Sequence, residues 1–269
     1  MDTEADIKRV VRERYASAAA TSKRCCGATA GKGLAQPDLG LDMIGDVYKA
    51  VDGYVADADL GLGCGLPTQH AGIKAGDVVL DLGSGAGIDA FVARRIVGAQ
   101  GRVVGVDMTP EMLTRARENA AKLGYENVEF RAGEIEALPV DDASIDVVVS
   151  NCVLNLVPDK AGAFAEIYRV LRRGAHFCVS DIVATGPLPE PLRKAAALYV
   201  GCVAGALPRD DYLRLIDEAG FAAINVAETK SIDLPDEVLA SHLDNAGLAA
   251  FRSSGTALQS ITVRATKPA

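Results

Sequence analysis

Three glycines at spacing two have the arrangement of a ligand-binding turn: Gly83, Gly85 and Gly87. They follow Val78–Leu82, where four apolar residues surround Asp81 and predict a strand that is buried on both faces. They precede Ile88–Val97, whose apolar spacing predicts a helix. Glycine suits such a turn because a side chain would keep a ligand away from the backbone. A strand, a glycine turn and a helix N-terminus together predict a site for a nucleotide cofactor.

The glycine spacing also distinguishes between cofactors. A dinucleotide fingerprint needs a third glycine at the position of Ile88, so that pattern fails here. The spacing instead resembles motif I of the class I S-adenosylmethionine methyltransferases. Asp107 supports the resemblance, because it follows a second predicted strand, Arg102–Val106, about 20 residues past the glycines. A carboxylate at that place can accept hydrogen bonds from two ribose hydroxyls.

Predicted strands and helices alternate from position 77 onward, which indicates a right-handed parallel α/β sheet. Two late predicted strands, 223–228 and 258–266, would complete it. We therefore predict an α/β, Rossmann-like class I methyltransferase fold, with a mostly parallel seven-stranded sheet, a terminal antiparallel strand and an N-terminal helical extension. Residues 1–70 would hold the N-terminal helix and cysteine-bearing loops, 71–186 the cofactor-binding core, and 187–269 a helical insert and closing strands of the same domain.

Three cysteines that are distant in sequence should meet at one edge of this sheet. Ligands of open parallel sheets bind beyond the carboxyl ends of the strands, and Cys152 lies two residues past the fourth predicted strand. Cys64 lies between glycines on a predicted loop, and Cys202 lies in the predicted helical insert, 191–206. The alternative is that free cysteines pack as small apolar residues. We accept that alternative for Cys178, inside the fifth predicted strand, and leave it open for the adjacent pair Cys25 and Cys26.

Composition excludes several classes of function. The chain has 36 acidic and 28 basic residues and a net charge of −8, which argues against nucleic acid or an anionic membrane as a partner. No apolar run reaches the roughly 18 residues of a membrane-spanning helix, and the acidic N-terminus is unlike a signal peptide. We expect a cytoplasmic protein that acts as a monomer. Six cysteines in such a chain indicate ligand binding, catalysis or burial more than a disulfide framework.

Several stretches resemble the arsenite S-adenosylmethionine methyltransferases. They are L-G-L-G-C-G at 60–65, V-L-D-L-G-S-G-A-G at 79–87, V-D-M-T-P-E-M-L at 106–113, S-N-C-V-L-N-L-V-P-D-K at 150–160, and the segment around Cys202. The Asn-Cys-Val and Cys202 segments are the specific ones, whereas the glycines are shared widely. Two departures are Leu66, where the family often has Asn, and Ile88, where it commonly has Phe.

The resemblance implies a set of site residues. Cys64, Cys152 and Cys202 would bind trivalent arsenic as thiolates, and Cys25 and Cys26 are candidates for a redox relay. S-adenosylmethionine would contact Asp81, Gly83, Ser84, Gly85, Gly87, Asp107, Met108, Ile135, Glu136 and Asn151. A thiol reductant such as glutathione or thioredoxin would be a co-substrate. Because arsenic carries no proton to remove, no general base is needed, which fits a chain with only three histidines.

Two other functions remain open from the residues alone. The chain could methylate another small molecule, a quinone precursor or an amine, with incidental cysteines. It could also be a sensor or sequestering protein that binds soft metalloids through thiols without turnover.

Overall fold

One seven-stranded sheet forms the centre of the computed structural model, which describes residues 4–20, 47–195 and 203–269. Its strands are β1 (Val78–Leu82), β2 (Arg102–Asp107), β3 (Val128–Ala132), β4 (Ile145–Asn151), β5 (Leu171–Ala184), β6 (Ala222–Ile232) and β7 (Leu258–Thr266). Their order is β3-β2-β1-β4-β5-β7-β6. The first five strands pair in parallel, and β7 runs antiparallel to both β5 and β6. The predicted fold is therefore confirmed.

Helices flank the sheet. The α-helices are α1 (Glu4–Ala20), α2 (Pro67–His70), α3 (Ile88–Val97), α4 (Pro110–Leu123), α5 (Lys160–Val170), α6 (Glu190–Lys194), α7 (Arg209–Glu218), α8 (Asp236–Ala240) and α9 (Asn245–Ser253). Short 3₁₀ helices span Val47–Ala50 and Leu154–Leu156. Local sequence explains both ends of α4. Pro110 begins the helix, where its missing N–H would have no partner within the helix, and Gly124 ends it with a φ of 65°.

The parallel strands are covered on both faces. Alternate residues of β1 enter two different cores: Leu80 packs with Phe164 of α5, whereas Val79 packs with Phe91 of α3 and Ala116 of α4. Strands covered on both sides read as continuous apolar runs. This two-sided burial explains why the sequence pattern around Asp81 predicts the strand so clearly.

Some boundaries differ from the predicted ones. β5 begins at Leu171, immediately after α5, rather than at position 176, and β6 continues to Ile232 rather than ending at 228. Leu171 pairs with Ile145 of the parallel strand β4, and antiparallel pairing with β7 continues to Ile232 of β6. No helix among the described residues is long and apolar enough to cross a membrane. Cys25, Cys26 and Cys202 lie outside the described residues, and the domain boundaries stay a prediction.

Candidate cofactor pocket and cysteine site

The glycine turn between β1 and α3 is built from left-handed backbone. Gly83, Gly85 and Gly87 have φ angles of 64°, 51° and 98°, a region that favours glycine. The amide of Gly83 donates to the carbonyl of Val106 at 2.8 Å, which fastens the turn to β2. A Cβ at Gly87 would lie 2.8 Å from the ring of Phe91, so the turn also needs glycine for close packing against α3. The backbone of the turn is consequently open to a ligand.

Asp107, at the end of β2, holds the same turn. Its Oδ2 accepts a hydrogen bond from the amide of Gly85 at 2.9 Å, and its Oδ1 accepts one from the amide of Thr109 at 2.8 Å. Burial raises the pKa of Asp107 above its ordinary value, although these amide donors oppose the shift. The residue predicted to bind ribose thus also sets the conformation of the glycine turn.

Two further carboxylates are buried beside the turn, and sequence reasoning missed one of them. Asp89, in the first turn of α3, accepts a hydrogen bond from the Tyr48 hydroxyl at 2.7 Å. Burial raises its pKa to about 6. Burial, together with repulsion from Asp89, also holds the pKa of Asp81 well above its ordinary value. Among the described residues, Asp81 Oδ2 and Asp89 Oδ1 have no hydrogen-bond partner, so this part of the pocket favours a cationic group.

One cavity collects most of the predicted cofactor residues. Its lining includes Asp81, Gly83, Ser84, Gly85, Asp107, Met108, Ile135, Glu136, Asn151 and Cys152, whereas Gly87 lies behind the turn. α1 also forms part of the wall through Lys8, Val11 and Tyr15, a contribution that the sequence did not predict. Lys8 Nζ lies 2.7 Å from Glu134 and 3.1 Å from Glu136, which fixes α1 over the cavity. Glu136 is therefore ion-paired in the structure.

Cys64 and Cys152 come together and form a disulfide across 88 residues. Both are almost fully buried, with exposures of 1% and 2%. A disulfide sulfur does not bind metal ions as a thiolate does, so the binding of arsenic by these two cysteines stays a prediction for the reduced protein. Reduction would have to precede any binding of a soft ion. The position of Cys202 relative to the pair lies outside the described residues.

Asn151, the last residue of β4, holds the Cys64 loop. Its Oδ1 accepts hydrogen bonds from the amides of Cys64 at 3.0 Å and Gly65 at 3.2 Å. Its Nδ2 donates to the carbonyl of Gly65 at 2.8 Å and to the hydroxyl of Tyr48 at 2.5 Å. The predicted role was cofactor contact by backbone or side chain. Because the side-chain amide is occupied by the protein, the backbone is what remains for such a contact.

Cys152 has an unusual backbone conformation, and the Cys64 loop packs closely against β5. Cys152 has a φ of 58°, which is uncommon for a residue with a Cβ, and its amide donates to the carbonyl of Ser180 at 2.8 Å. A Cβ at Gly65 would overlap the Ser180 side chain, so glycine next to Cys64 allows the loop to lie against β5. Strained backbone of this kind concentrates at functional sites. Cys178, also on β5, is fully buried, and burial raises the pKa of its thiol to about 12.

A third buried side chain faces the cysteine pair. One oxygen of Asp181, on β5, and the two sulfurs of Cys64 and Cys152 all lie within 4.8 Å of one another. Burial raises the pKa of Asp181 to about 7. Its Oδ1 accepts from the Ile182 amide at 3.0 Å, and its Oδ2 accepts from the Tyr212 hydroxyl at 3.3 Å. No sequence motif indicated Asp181, since it stands within an apolar strand.

Comparisons with known proteins agree with this geometry. Residues 73–220 match a family described as a methyltransferase domain. The arsenite methyltransferase of Halobacterium salinarum is 45% identical over 98% of this chain and 67% of its own length. That of Aquipseudomonas alcaligenes is 42% identical over 68% of this chain and 55% of its own length, so this chain spans only part of each relative.

A solved structure gives the same result at the level of fold and sequence. The arsenic(III) S-adenosylmethionine methyltransferase of Chlamydomonas reinhardtii superposes with a TM-score of 0.66 at 40% identity. The match covers 77% of this chain and 68% of the other. The glycine turn, the convergent cysteines and these similarities place the chain in the family of arsenite S-adenosylmethionine methyltransferases.

Proposed function

We propose that this chain transfers the methyl group of S-adenosylmethionine to trivalent arsenic, as arsenite or methylarsenite, held by cysteine thiolates, and that it serves arsenic detoxification. The observation that carries the proposal is the meeting of Cys64 and Cys152 at the cofactor cavity. Cys152 lines that cavity and follows Asn151 directly at the end of β4. An acceptor bound there would lie next to a ligand seated on the glycine turn.

The residues around the cavity fit this cofactor. A sulfonium and an ammonium group make S-adenosylmethionine cationic. Asp81 and Asp89 line the cavity, and each has one oxygen without a hydrogen-bond partner in the described part of the chain. Met108 and Ile135 provide apolar surface for an adenine ring, and Asp107 lies at the end of β2 where ribose is expected. When bound, the cofactor supplies an electrophilic methyl group.

The cysteines would hold and orient the acceptor. Arsenic(III) is soft and prefers thiolate ligands, and three thiolates leave its lone pair free at the apex of a pyramid. We take Cys202 as the third ligand because of the family resemblance. The chain's own work is then to align the lone pair with the methyl group and to exclude water, without removing a proton from arsenic. The burial of Cys64 and Cys152 supports that role.

A thiol reductant is the second co-substrate in this proposal. Two thiols from a donor such as glutathione or thioredoxin would give two electrons and two protons to the Cys64–Cys152 disulfide. The donor becomes a disulfide, and the chain regains two thiols. Cys25 and Cys26 would take part as a relay. We also propose that 1–70, 71–186 and 187–269 act as one domain, in a cytoplasmic monomer.

The direct test is a turnover assay. The reduced protein is incubated with S-adenosylmethionine, arsenite and excess thiol, and methylated arsenic species are separated and quantified. We expect methylarsenicals from the reduced protein and none from protein kept oxidised without thiol. A protein that binds the cofactor tightly but forms no methylated arsenic under reducing conditions would overturn the proposal. Methyl transfer to another acceptor, at a rate that thiol-blocking reagents do not change, would also overturn the proposal.

A further inference from the structure

The Asp181 carboxylate has no task in the methyl-transfer scheme above. It is 1% exposed, and one of its oxygens lies within 4.8 Å of the sulfurs of both Cys64 and Cys152. A buried carboxylate is costly unless it is compensated, and the charge of Lys160 compensates Asp181 in part. Two sulfurs and one carboxylate oxygen at this separation are also a common donor set for a metal ion.

The carboxylate is held in place by hydrogen bonds to both of its oxygens. The amide of Ile182 donates to Oδ1 at 3.0 Å, and the hydroxyl of Tyr212 donates to Oδ2 at 3.3 Å. Tyr212 is itself fully buried. Outer hydrogen bonds of this kind orient a ligating carboxylate and raise its affinity for a metal ion. Asp181 is therefore pre-positioned towards the cysteine pair.

We propose that Cys64, Cys152 and Asp181 form, once the disulfide is reduced, a site for a divalent cation of the zinc type. Zinc accepts both cysteine sulfur and carboxylate oxygen, and three protein ligands leave a fourth tetrahedral position for water. Binding exchanges two thiol protons for the cation, and no electrons are transferred. The disulfide form cannot bind, because its sulfurs carry no charge and are already bonded to each other.

The third donor separates zinc from arsenic. Arsenic(III) favours sulfur over a hard carboxylate, whereas zinc accepts either. Asp181 therefore contributes to the cation site and not to the proposed arsenic site. A cation in the shared pair of thiolates would block arsenic, so zinc is an inhibitor of methyl transfer; this last step rests on the proposed function.

Cobalt(II) is a suitable probe, because thiolate ligation in a tetrahedral site gives intense charge-transfer and d–d absorption. The full chain is reduced, freed of excess thiol and titrated with cobalt(II), with the oxidised protein as a control. We expect one cobalt per reduced chain and none for the oxidised chain. Asp181→Asn should weaken cobalt binding at least tenfold, whereas Cys178→Ser should leave it unchanged. Equal cobalt affinity in Asp181→Asn and the wild type would overturn the proposal.

A second measurement covers the case in which Asp181→Asn fails to fold, which circular dichroism and cofactor binding would reveal. X-ray absorption of zinc bound to the reduced Cys202→Ser chain should show two sulfur ligands and at least one oxygen. A shell of oxygen and nitrogen without sulfur, or of more than two sulfurs, would exclude the site. If cobalt binds as expected but no methylarsenical ever forms, the proposed function fails and the cation site stands. If methylation occurs and zinc does not inhibit it, the competition fails.

Discussion

The glycine turn and the Cys64 loop border the same cavity but are held in place in different ways. The turn belongs to one contiguous segment, and its amides bond to the neighbouring β2 and to Asp107. The Cys64 loop is fastened by side chains from distant parts of the chain, Asn151 of β4 and Ser260 of β7. The cofactor side is thus built by local sequence, and the acceptor side by tertiary contacts. Substitutions on one side should therefore change cofactor binding, and substitutions on the other should change the methylation of arsenic.

The largest effect is expected at the acceptor side, from Cys152→Ser. A hydroxyl is a hard, poor ligand for arsenic, so methylation of both arsenite and methylarsenite should be lost. Product speciation measures the loss, and calorimetry should show a cofactor dissociation constant like that of the wild type. The control Cys178→Ser should retain activity, because that thiol is buried in β5 away from the cavity. Substantial turnover by Cys152→Ser would remove Cys152 from the site.

Cys64→Ser should affect the methylation of arsenite more strongly than the methylation of methylarsenite. Arsenite has three exchangeable positions for sulfur, whereas methylarsenite has only two. The loss of one thiolate should abolish methylation of arsenite and leave a measurable rate with methylarsenite. Parallel assays with each substrate and excess thiol measure the difference. Normal rates with both substrates would replace the three-thiolate site by a two-cysteine site.

Asp107→Ala tests the cofactor side. It removes a charged acceptor worth about 1.5–3 kcal/mol, so the cofactor dissociation constant should rise by roughly 10- to 100-fold. Titration calorimetry measures the change. Arsenic binding to the reduced cysteines should stay close to the wild-type value. A matched variant, Asp107→Asn, keeps an acceptor for the amide of Gly85 or Thr109. Its cofactor dissociation constant should lie between those of the wild type and Asp107→Ala. A wild-type dissociation constant in Asp107→Ala would mean that Asp107 does not bind the cofactor.

Asn151→Ala should weaken the acceptor side through its loop. It leaves the amides of Cys64 and Gly65 without their acceptor, at a cost of about 1–3 kcal/mol. We expect a rise of about tenfold in the KM for arsenite and a smaller change in cofactor affinity. Ser150→Ala is the control, since that hydroxyl bonds only to the Leu82 carbonyl in β1. A larger change in cofactor affinity than in the KM for arsenite would place Asn151 on the cofactor side instead.

The smallest effect is a pH dependence of cofactor affinity. The pKa of Asp89 is about 6 in the free protein because the carboxyl is buried, although the hydrogen bond from Tyr48 opposes the shift. Asp81 is a neighbouring buried carboxyl group. Below pH 6 Asp89 is neutral and attracts a cationic cofactor less, so affinity should rise severalfold as the pH increases from 5 to 7. Calorimetry across that range measures the slope. Asp89→Asn should flatten it, and a wild-type slope in that variant would exclude Asp89 as the source.

The sequence predicts the strand, the turn and the helix of the cofactor side well, because the information for them is local. The pattern from Val78 to Gly87 specifies a strand, a turn and a helix, and Asp107 follows at the expected distance. The acceptor side depends on contacts that no spacing encodes. Asp181 is one polar residue in an apolar strand, and Asn151 bonds to a loop that is 86 residues away. The placement of α1 over the cavity depends likewise on the pairing of Lys8 with Glu134 and Glu136.

The disulfide links oxidation to the lifetime of the protein. The loop that it closes contains β1, β2, β3 and β4, the whole cofactor half of the sheet. Closing 88 residues removes chain entropy from the unfolded state worth about 4–5 kcal/mol. The oxidised form is then the more stable one, and the reduced form is more open to unfolding and proteolysis. Bound cofactor would restore part of the stability that reduction of the disulfide removes, because it binds the folded state and not the unfolded one.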